Sequence, residues 1–281
     1  MLFVVATPIG NFADITQRAI EVLGSVDVIA AEDTRRCRRL LAHLGISRPV
    51  LAYHDHNEEP RGATLLRRLH EGASVALVSD AGTPLISDPG YRLVRDALAA
   101  GLRVVAVPGP CAAIAALSIA GLPTDRFVFE GFLPARSASR RARLAELAAE
   151  ARTLVFYESP RRILETLAEI VEVIGAGRRC MLARELTKVH ETLLGGTVGE
   201  VLARVAADPE QQLGEIVLLL EGASIAADSA VQAMELDALL EVLFDYLPLS
   251  EAVACAQRIS GRPRNEVYRA ALARRSVPSS E

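Results

Sequence analysis

Leu2-Phe3-Val4-Val5-Ala6-Thr7-Pro8-Ile9-Gly10-Asn11 is an apolar run that ends on a proline and glycine turn, and its reading decides the fold. The apolar residues do not alternate with polar ones, as they would in a strand with one wet face. Strands buried on both faces of a parallel sheet read this way. Working outward, the same signature recurs at Val26–Ala30, Val50–Tyr53, Val75–Ser79 and Arg103–Val107. Segments of helical character lie between these runs, at Asp14–Leu23, Thr34–Leu44, Arg61–Glu71 and Gly90–Ala100. The alternation predicts an α/β domain over residues 1–121.

A break at Gly121-Leu122-Pro123-Thr124 opens a second set of elements over residues 122–222. Its expected strands are Phe127–Glu130, Thr153–Glu158, Arg179–Ala183 and Ile216–Leu220, and its expected helices are Ala138–Glu150 and Pro160–Ile174. Leu193–Thr197 reads as a hairpin and Val198–Ala206 as a helix. Ala223–Ala233 is small and polar, as a linker is. Residues 234–281 then read as a helical appendage, with Leu236–Tyr246, Ser250–Ser260 and Arg264–Arg274 as helices and Gly261-Arg262-Pro263 as a turn of helix-turn-helix type.

The 281 residues are 51% apolar and 23% charged, the range of a soluble globular chain rather than a disordered one. The uncharged stretch Val104–Pro123 is long enough to span a bilayer. Pro108, Gly109 and Pro110 break it, so a buried strand, a turn and a buried helix are expected instead of a membrane segment. No basic leader precedes the first apolar run, and a cytoplasmic protein is expected. Cys37, Cys111, Cys180 and Cys255 are too scattered for a zinc site or a disulfide framework.

The net charge of −4 argues against non-specific nucleic-acid binding, but the charge is not evenly spread. Arg136, Arg140, Arg141 and Arg143 form an island without acids between Pro134 and Arg143. Six arginines stand against Glu251 and Glu266 between Ser250 and Arg275. Such islands either track phosphates or form a solvated charged face. Lys188 is the only lysine among 31 basic residues.

Three turns at strand ends carry the chemistry: Thr7–Asn11, Ser79–Gly90 and Pro108–Ala112. Open α/β sheets bind ligands at the carboxyl ends of their strands. None of these turns is G-x-x-x-x-G-K-[ST], G-x-G-x-x-G or G-x-S-x-G, which removes support for ATP, dinucleotide and serine-hydrolase readings. His56-Asn57-Glu58 mimics the first half of a zinc deaminase motif, but Pro110-Cys111 lacks a second cysteine three positions on. His54 and His56 are therefore read as a polar loop, and no metal is expected.

Ala6–Asn11, Ala31-Glu32-Asp33-Thr34-Arg35, Val78–Pro84 and Pro108-Gly109-Pro110 together resemble the tetrapyrrole methylase superfamily. Tyr53–Glu58, Glu130–Pro134, Phe156–Pro160, Ala183–Lys188 and Gly261–Glu266 narrow the resemblance to its ribosomal RNA cytidine 2′-O-methyltransferase branch. The likeness runs from residue 2 to about residue 275. It implies a parallel-sheet first domain, a mixed-sheet second domain and a homodimer. It also implies S-adenosylmethionine held between the two domains, and 16S RNA of the small ribosomal subunit as partner and substrate. On the resemblance, Pro8, Asp80, Gly82, Thr83, Ile86, Cys111 and Ala112 contact the cofactor from the first domain, and Tyr157, Ala183 and Glu215 with Gly214 close over the adenine. The branch usually has serine at Cys111 and lysine at Leu213, so side-chain contacts at those two positions are not carried over.

The proton acceptor is an open question on sequence. Lys188 leads, because a lysine desolvated or set beside Arg184 can lose its proton where an arginine cannot. Glu185, Asp33 and His54 are the other candidates. Arg35 and Arg36, with Arg38 and Arg39 beside them, are candidates to hold the RNA backbone, as are Arg136, Arg140, Arg184, Arg262 and Arg264. Competing readings are methylation of a tetrapyrrole by the same fold and a non-catalytic, cofactor-binding RNA module.

Overall fold

In the computed structural model of the chain, which describes residues 1–54, 57–80, 82–223 and 236–275, the opening apolar run is strand β1 (Leu2–Val5). It lies between β4 (Val75–Val78) and β5 (Val104–Val107) and is parallel to both. With β2 (Val28–Ala31) and β3 (Val50–Ala52) the order is β3-β2-β4-β1-β5, parallel throughout. β2 and β4 are buried along their whole length, which accounts for their unbroken apolar sequences.

Helices α1 (Gln17–Ser25) and α2 (Thr34–His43) pack on one face of this sheet through Leu23, Cys37 and Leu41. Helices α3 (Glu58–His70) and α4 (Tyr91–Ala99) pack on the other through Leu65, Leu69, Leu93 and Ala97. The chain leaves adjacent strands β1 and β4 toward opposite faces. A crevice therefore opens at their carboxyl ends, where such sheets take ligands. Helix α1 begins three residues later than the sequence suggests. Asn11 caps a short 3-10 turn over Phe12–Asp14, and the Thr16 hydroxyl then caps the helix itself by accepting from Ala19 N at 3.2 Å.

After β5 the chain forms α5 (Ala112–Ile119), so the uncharged stretch Val104–Pro123 is a strand, a turn and a short helix, as expected. Among the described residues no helix is long and apolar enough to cross a membrane. The inner face of α5, with Ala113, Ala116 and Leu117, packs on Val155, Ala183, Val217 and Leu219 of the second sheet. That sheet has the order β6-β7-β10-β8-β9. Strands β6 (Phe127–Phe132) and β7 (Thr153–Glu158) are parallel; β10 (Ile216–Leu220), β8 (Arg179–Arg184) and β9 (Thr192–Thr197) pair antiparallel. Leu193–Thr197 is not itself the hairpin that the sequence suggests: it lies within the single strand β9, which pairs antiparallel with β8 across residues 185–191. Helices α6 (Ser137–Leu147), α7 (Ile163–Val173) and α8 (Val198–Ala207) cover the far face. Both sheets belong to one compact unit, Met1–Gly222.

The residues after Gly222 form a separate unit. Its described part is helical: α9 over residues 236–244, α10 (Leu249–Ser260) and α11 (Arg264–Arg275). Leu240, Val253, Ala256, Val267 and Ala271 make its core. Gly261 ends α10 with φ 68°, the left-handed conformation glycine adopts without strain. The linker expected at residues 223–233 lies almost wholly outside the described residues.

Within the arginine island at α6, Arg136 and Arg141 are exposed, as a charged face is, but Arg140 is not. Arg140 is 1% exposed and its guanidinium binds Glu169 on α7, which Ser137 Oγ also reaches at 2.6 Å. Arg141 pairs with Glu172 at 2.7 Å, and Arg143 with Glu130 at 2.7 Å and Glu146 at 2.6 Å. Arg140 is therefore withdrawn as an RNA contact; it is an internal tie between α6 and α7. Removing one partner of a buried pair leaves the other charge uncompensated. Arg140→Ala is expected to lower stability by about 3–5 kcal/mol, read by chemical unfolding. The double change Arg140→Met with Glu169→Leu should recover most of that loss. A single-variant loss below about 1 kcal/mol would show the pair to be unimportant.

Candidate active site

The three turns singled out in the sequence meet at one place. Thr7 N donates to Gly82 O at 3.0 Å, Thr7 Oγ1 to Ser79 O at 2.7 Å, and Thr83 Oγ1 to Pro110 O at 3.0 Å. Gly82 has φ 99°, and a Cβ there would lie 2.6 Å from Pro110 O and 2.7 Å from Ile9 Cγ2. Only glycine lets the backbones after β1, β4 and β5 approach this closely. Leu85 (φ 72°) and Ser87 (φ 61°) continue the same loop in the left-handed region, a strain that tends to gather at functional sites.

The second sheet closes over these turns. β6 carries a bulge between Phe129 and Gly131, and Gly131 has φ 66° with Ser87 Oγ where a Cβ would stand. Bulges re-aim side chains, and here Phe132 is brought edge-on to Tyr157, with ring centroids 5.7 Å apart. The Tyr157 hydroxyl accepts from Ala113 N at the start of α5 at 3.2 Å. Burial pushes this phenol well above its ordinary pKa, so it stays protonated.

Between the two sheets lies a cleft of about 580 Å³, within the range of small-molecule sites. Of the residues expected at the cofactor, Asp80, Ala112, Tyr157, Ala183 and Glu215 line it. Pro8 lines a neighbouring chamber. Gly82 and Thr83 line neither space and instead join the turns, through Pro110 O and Ile9. Ile86 and Cys111 also line neither space, although Cys111 interacts with Tyr157. Sequence reasoning passed over Phe132, Asp88, Ser159 and Val217, which also line it. Glu32, Asp33, Asp80, Asp88, Glu158 and Glu215 make the cleft acidic, and Arg36 is the one cation among its described lining residues. Arg36 faces Asp80 at 3.8 Å and Glu215 at 3.7 Å.

The neighbouring chamber, about 280 Å³, opens on the other side of that ion cluster. Ile9, Arg36, Asp80 and Glu215 line both spaces, so they form the partition between them. Lys188 stands at the chamber's edge, with Nζ 2.8 Å from Glu185 Oε1 and 2.9 Å from Glu215 Oε2. Burial works to lower its pKa, but the two carboxylates outweigh it and the net shift is upward. Arg184 is turned away, with its guanidinium on Thr192 Oγ1 at 2.8 Å and His190 O at 3.1 Å, and is buried. The expectation of a lysine stripped of its proton beside Arg184 is thus corrected: Lys188 is held as an ammonium between acids. Arg184, like Arg140, is not available to RNA.

The other acid–base candidates fare differently. Glu185 lines neither space. Burial raises its pKa, but hydrogen bonds from Lys188 and Glu215 N reverse the shift, so it is a fixed anion that positions Lys188. Asp33 is the N-cap of α2, and Arg35 holds its carboxyl down to about 2. His54 is occupied by Asn57, whose Nδ2 lies 3.0 Å from Nε2; His56 lies outside the described residues. Asp80 is the exception. Burial pushes its pKa up, Arg36 opposes this, and Asp33 and Glu215 reinforce it. Among the described residues no group of His, Cys, Asp and Glu is arranged to hold a metal. Of the remaining arginines, Arg35, Arg36, Arg136 and Arg264 are exposed, and Arg262 is half-buried against Glu266 at 2.6 Å.

A doubly wound parallel sheet whose loops share a cleft with a mixed sheet is the architecture of the tetrapyrrole methylases. The family model described as Tetrapyrrole (Corrin/Porphyrin) Methylases matches residues 1–202, and that of the RsmI C-terminal HTH domain matches residues 230–275. The chain is 55% identical to "Ribosomal RNA small subunit methyltransferase I" of Escherichia coli O157:H7, covering 96% of this chain and 94% of that one. It is 52% identical to the protein of that name from Pseudomonas aeruginosa, covering 97% of each. Among solved structures it is similar to the methyltransferase CobJ (TM-score 0.57, 21% identity, 79% of this chain and 94% of that one). It is also similar to cobalt precorrin-4 methyltransferase (TM-score 0.57, 18% identity, 78% and 94%). The chain belongs to the tetrapyrrole methylase family, in its ribosomal RNA small subunit methyltransferase I branch.

Proposed function

We propose that the protein uses S-adenosylmethionine to methylate the 2′-oxygen of a cytidine in 16S ribosomal RNA, acting as a cytoplasmic homodimer. The observation that carries the cofactor assignment is the acidic cleft at the meeting of the three turns. The cofactor is cationic at both its sulfonium and its ammonium group, and carboxylates in a partly desolvated cleft favour such charges. The RNA assignment rests on the relatives' name, and the exposed arginines of α2 agree with it.

Asp80, Ala112, Tyr157, Ala183 and Glu215 would hold the cofactor across the cleft. When bound, it supplies a methyl carbon on a positively charged sulfur, which departs with the bonding electron pair. The rigid turns fix the approach line of the acceptor oxygen, and alignment of this kind contributes roughly 7–11 kcal/mol in favourable systems. As the new carbon–oxygen bond forms, the oxygen's proton passes to the Asp80 carboxylate on the partition. Lys188, kept charged by Glu185 and Glu215, donates hydrogen bonds to the incoming ribose or phosphate oxygens.

The test is transfer of labelled methyl to purified small ribosomal subunits, followed by nucleoside analysis of the RNA. Label in 2′-O-methylcytidine is the expected result. Label in a base or in a tetrapyrrole only, or cofactor uptake without transfer, would overturn the assignment.

A further inference from the structure

The chamber beyond the partition shares Ile9, Arg36, Asp80 and Glu215 with the cleft and is lined by the turns after β1 and β4. Its floor is apolar, with Leu40, Leu41 and Val78. Phe12, from the 3-10 turn after β1, and Arg39, from α2, both line it. The Arg39 guanidinium carbon sits 5.9 Å from the centre of the Phe12 ring. His43 lies against the same ring at 4.8 Å. An aromatic ring and an arginine plane beside an apolar floor are what an unstacked nucleobase needs, because every base offers a flat π-face.

Size narrows the occupant further. A space of about 280 Å³ is at the small end of ligand sites, the scale of a single nucleoside. Outside the chamber, α2 also exposes Arg35 and Arg38, cations for the phosphates on either side of an extruded nucleotide. A base lodged in the chamber puts its ribose at the partition, where Asp80 and Arg36 also face the cofactor cleft.

We infer that this chamber receives the target nucleotide, flipped out of the RNA strand, with its base stacked on Phe12 and Arg39. This rests on the proposed assignment of the larger cleft to the methyl donor. Phe12 and Arg39 are then substrate-positioning residues, and neither touches the cofactor.

The inference is tested with the full-length protein in two separate measurements. Calorimetry reads S-adenosylmethionine binding, and initial rates read kcat/KM for small ribosomal subunits. Phe12→Ala and Arg39→Ala should each lower kcat/KM for the subunits by about ten- to hundred-fold, as loss of one base-stacking contact does, while cofactor affinity stays within two-fold of the parent. Retention of small subunits in the absence of cofactor should weaken in parallel. Phe12→Tyr keeps the ring and should recover activity to within about three-fold, which separates stacking from misfolding. The inference fails if both alanine variants keep kcat/KM within two-fold. It also fails if cofactor affinity falls as much as RNA turnover does. A parent protein that takes up no cofactor would instead sink the assignment of the larger cleft.

Discussion

Gly82→Val is expected to abolish cofactor uptake and to lower methyl transfer by at least about 10²-fold while leaving the second sheet intact. The backbone at Gly82 has φ 99°, which a β-branched residue does not tolerate. The added Cβ would press on Pro110 O at 2.6 Å and Ile9 Cγ2 at 2.7 Å. Pro110 O is backbone and also accepts from Thr83 Oγ1, so it cannot swing aside as a long side chain would. The turns after β1, β4 and β5 must then separate, and a displacement near 1 Å in positioning groups costs on the order of 10²-fold in rate. Gly121→Ala is the matched control. Gly121 also has positive φ (64°), but a Cβ added there would meet nothing within 4 Å. It should lose some stability and keep cofactor binding. Calorimetry with S-adenosylmethionine and an unfolding curve for each variant decide the matter. Normal affinity in Gly82→Val would mean that the close approach of the turns is unnecessary.

How much of this was legible in the sequence follows from where each signal resides. The parallel sheet was visible because double burial imposes a local pattern, an apolar run without alternation, most fully on β2 and β4. The meeting of the three turns was visible for the same reason, since each sits directly at a strand end. Partners that come from distant segments were not visible. Nothing near Arg140 in sequence announces Glu169, 29 residues on, so an internal ion pair read as an exposed cation. Lys188 stood out by its rarity, but its protonation depends on Glu215, 27 residues away. Side-chain aim was hidden too. Phe132 reaches the cleft because of the β6 bulge, and Phe12 reaches the chamber because Asn11 caps a turn that delays α1. Asp80 was expected at the cofactor, but its place on both sides of the partition depends on how α2 brings Arg36 across.

Asp80→Asn is expected to cut turnover by about 10²–10⁴-fold, the usual contribution of a positioned proton acceptor, while cofactor affinity falls far less. The amide keeps the size of the side chain but takes no proton. The sign of the pH effect follows from the environment. Burial lifts the pKa of Asp80, with Asp33 and Glu215 adding to the rise and Arg36 restraining it. The working form is the carboxylate, so kcat/KM should fall as the pH drops through this raised value, earlier than an ordinary aspartate would dictate. The same shift predicts an opposite effect on stability. A carboxyl whose pKa is raised by folding favours the folded state when protonated, and that advantage is lost as the pH rises through the folded-state value. At neutral pH the charge is therefore a burden on the fold, and Asp80→Asn should melt at the same temperature as the parent or higher. A variant that is less active and no less stable shows a residue kept for chemistry at the expense of the fold. Lys188→Arg is the companion variant: it preserves the cation between Glu185 and Glu215 and should retain activity to within about ten-fold. Full turnover in Asp80→Asn, or a collapse in Lys188→Arg as deep as that expected for Asp80→Asn, would move the proton acceptor from the aspartate to the lysine.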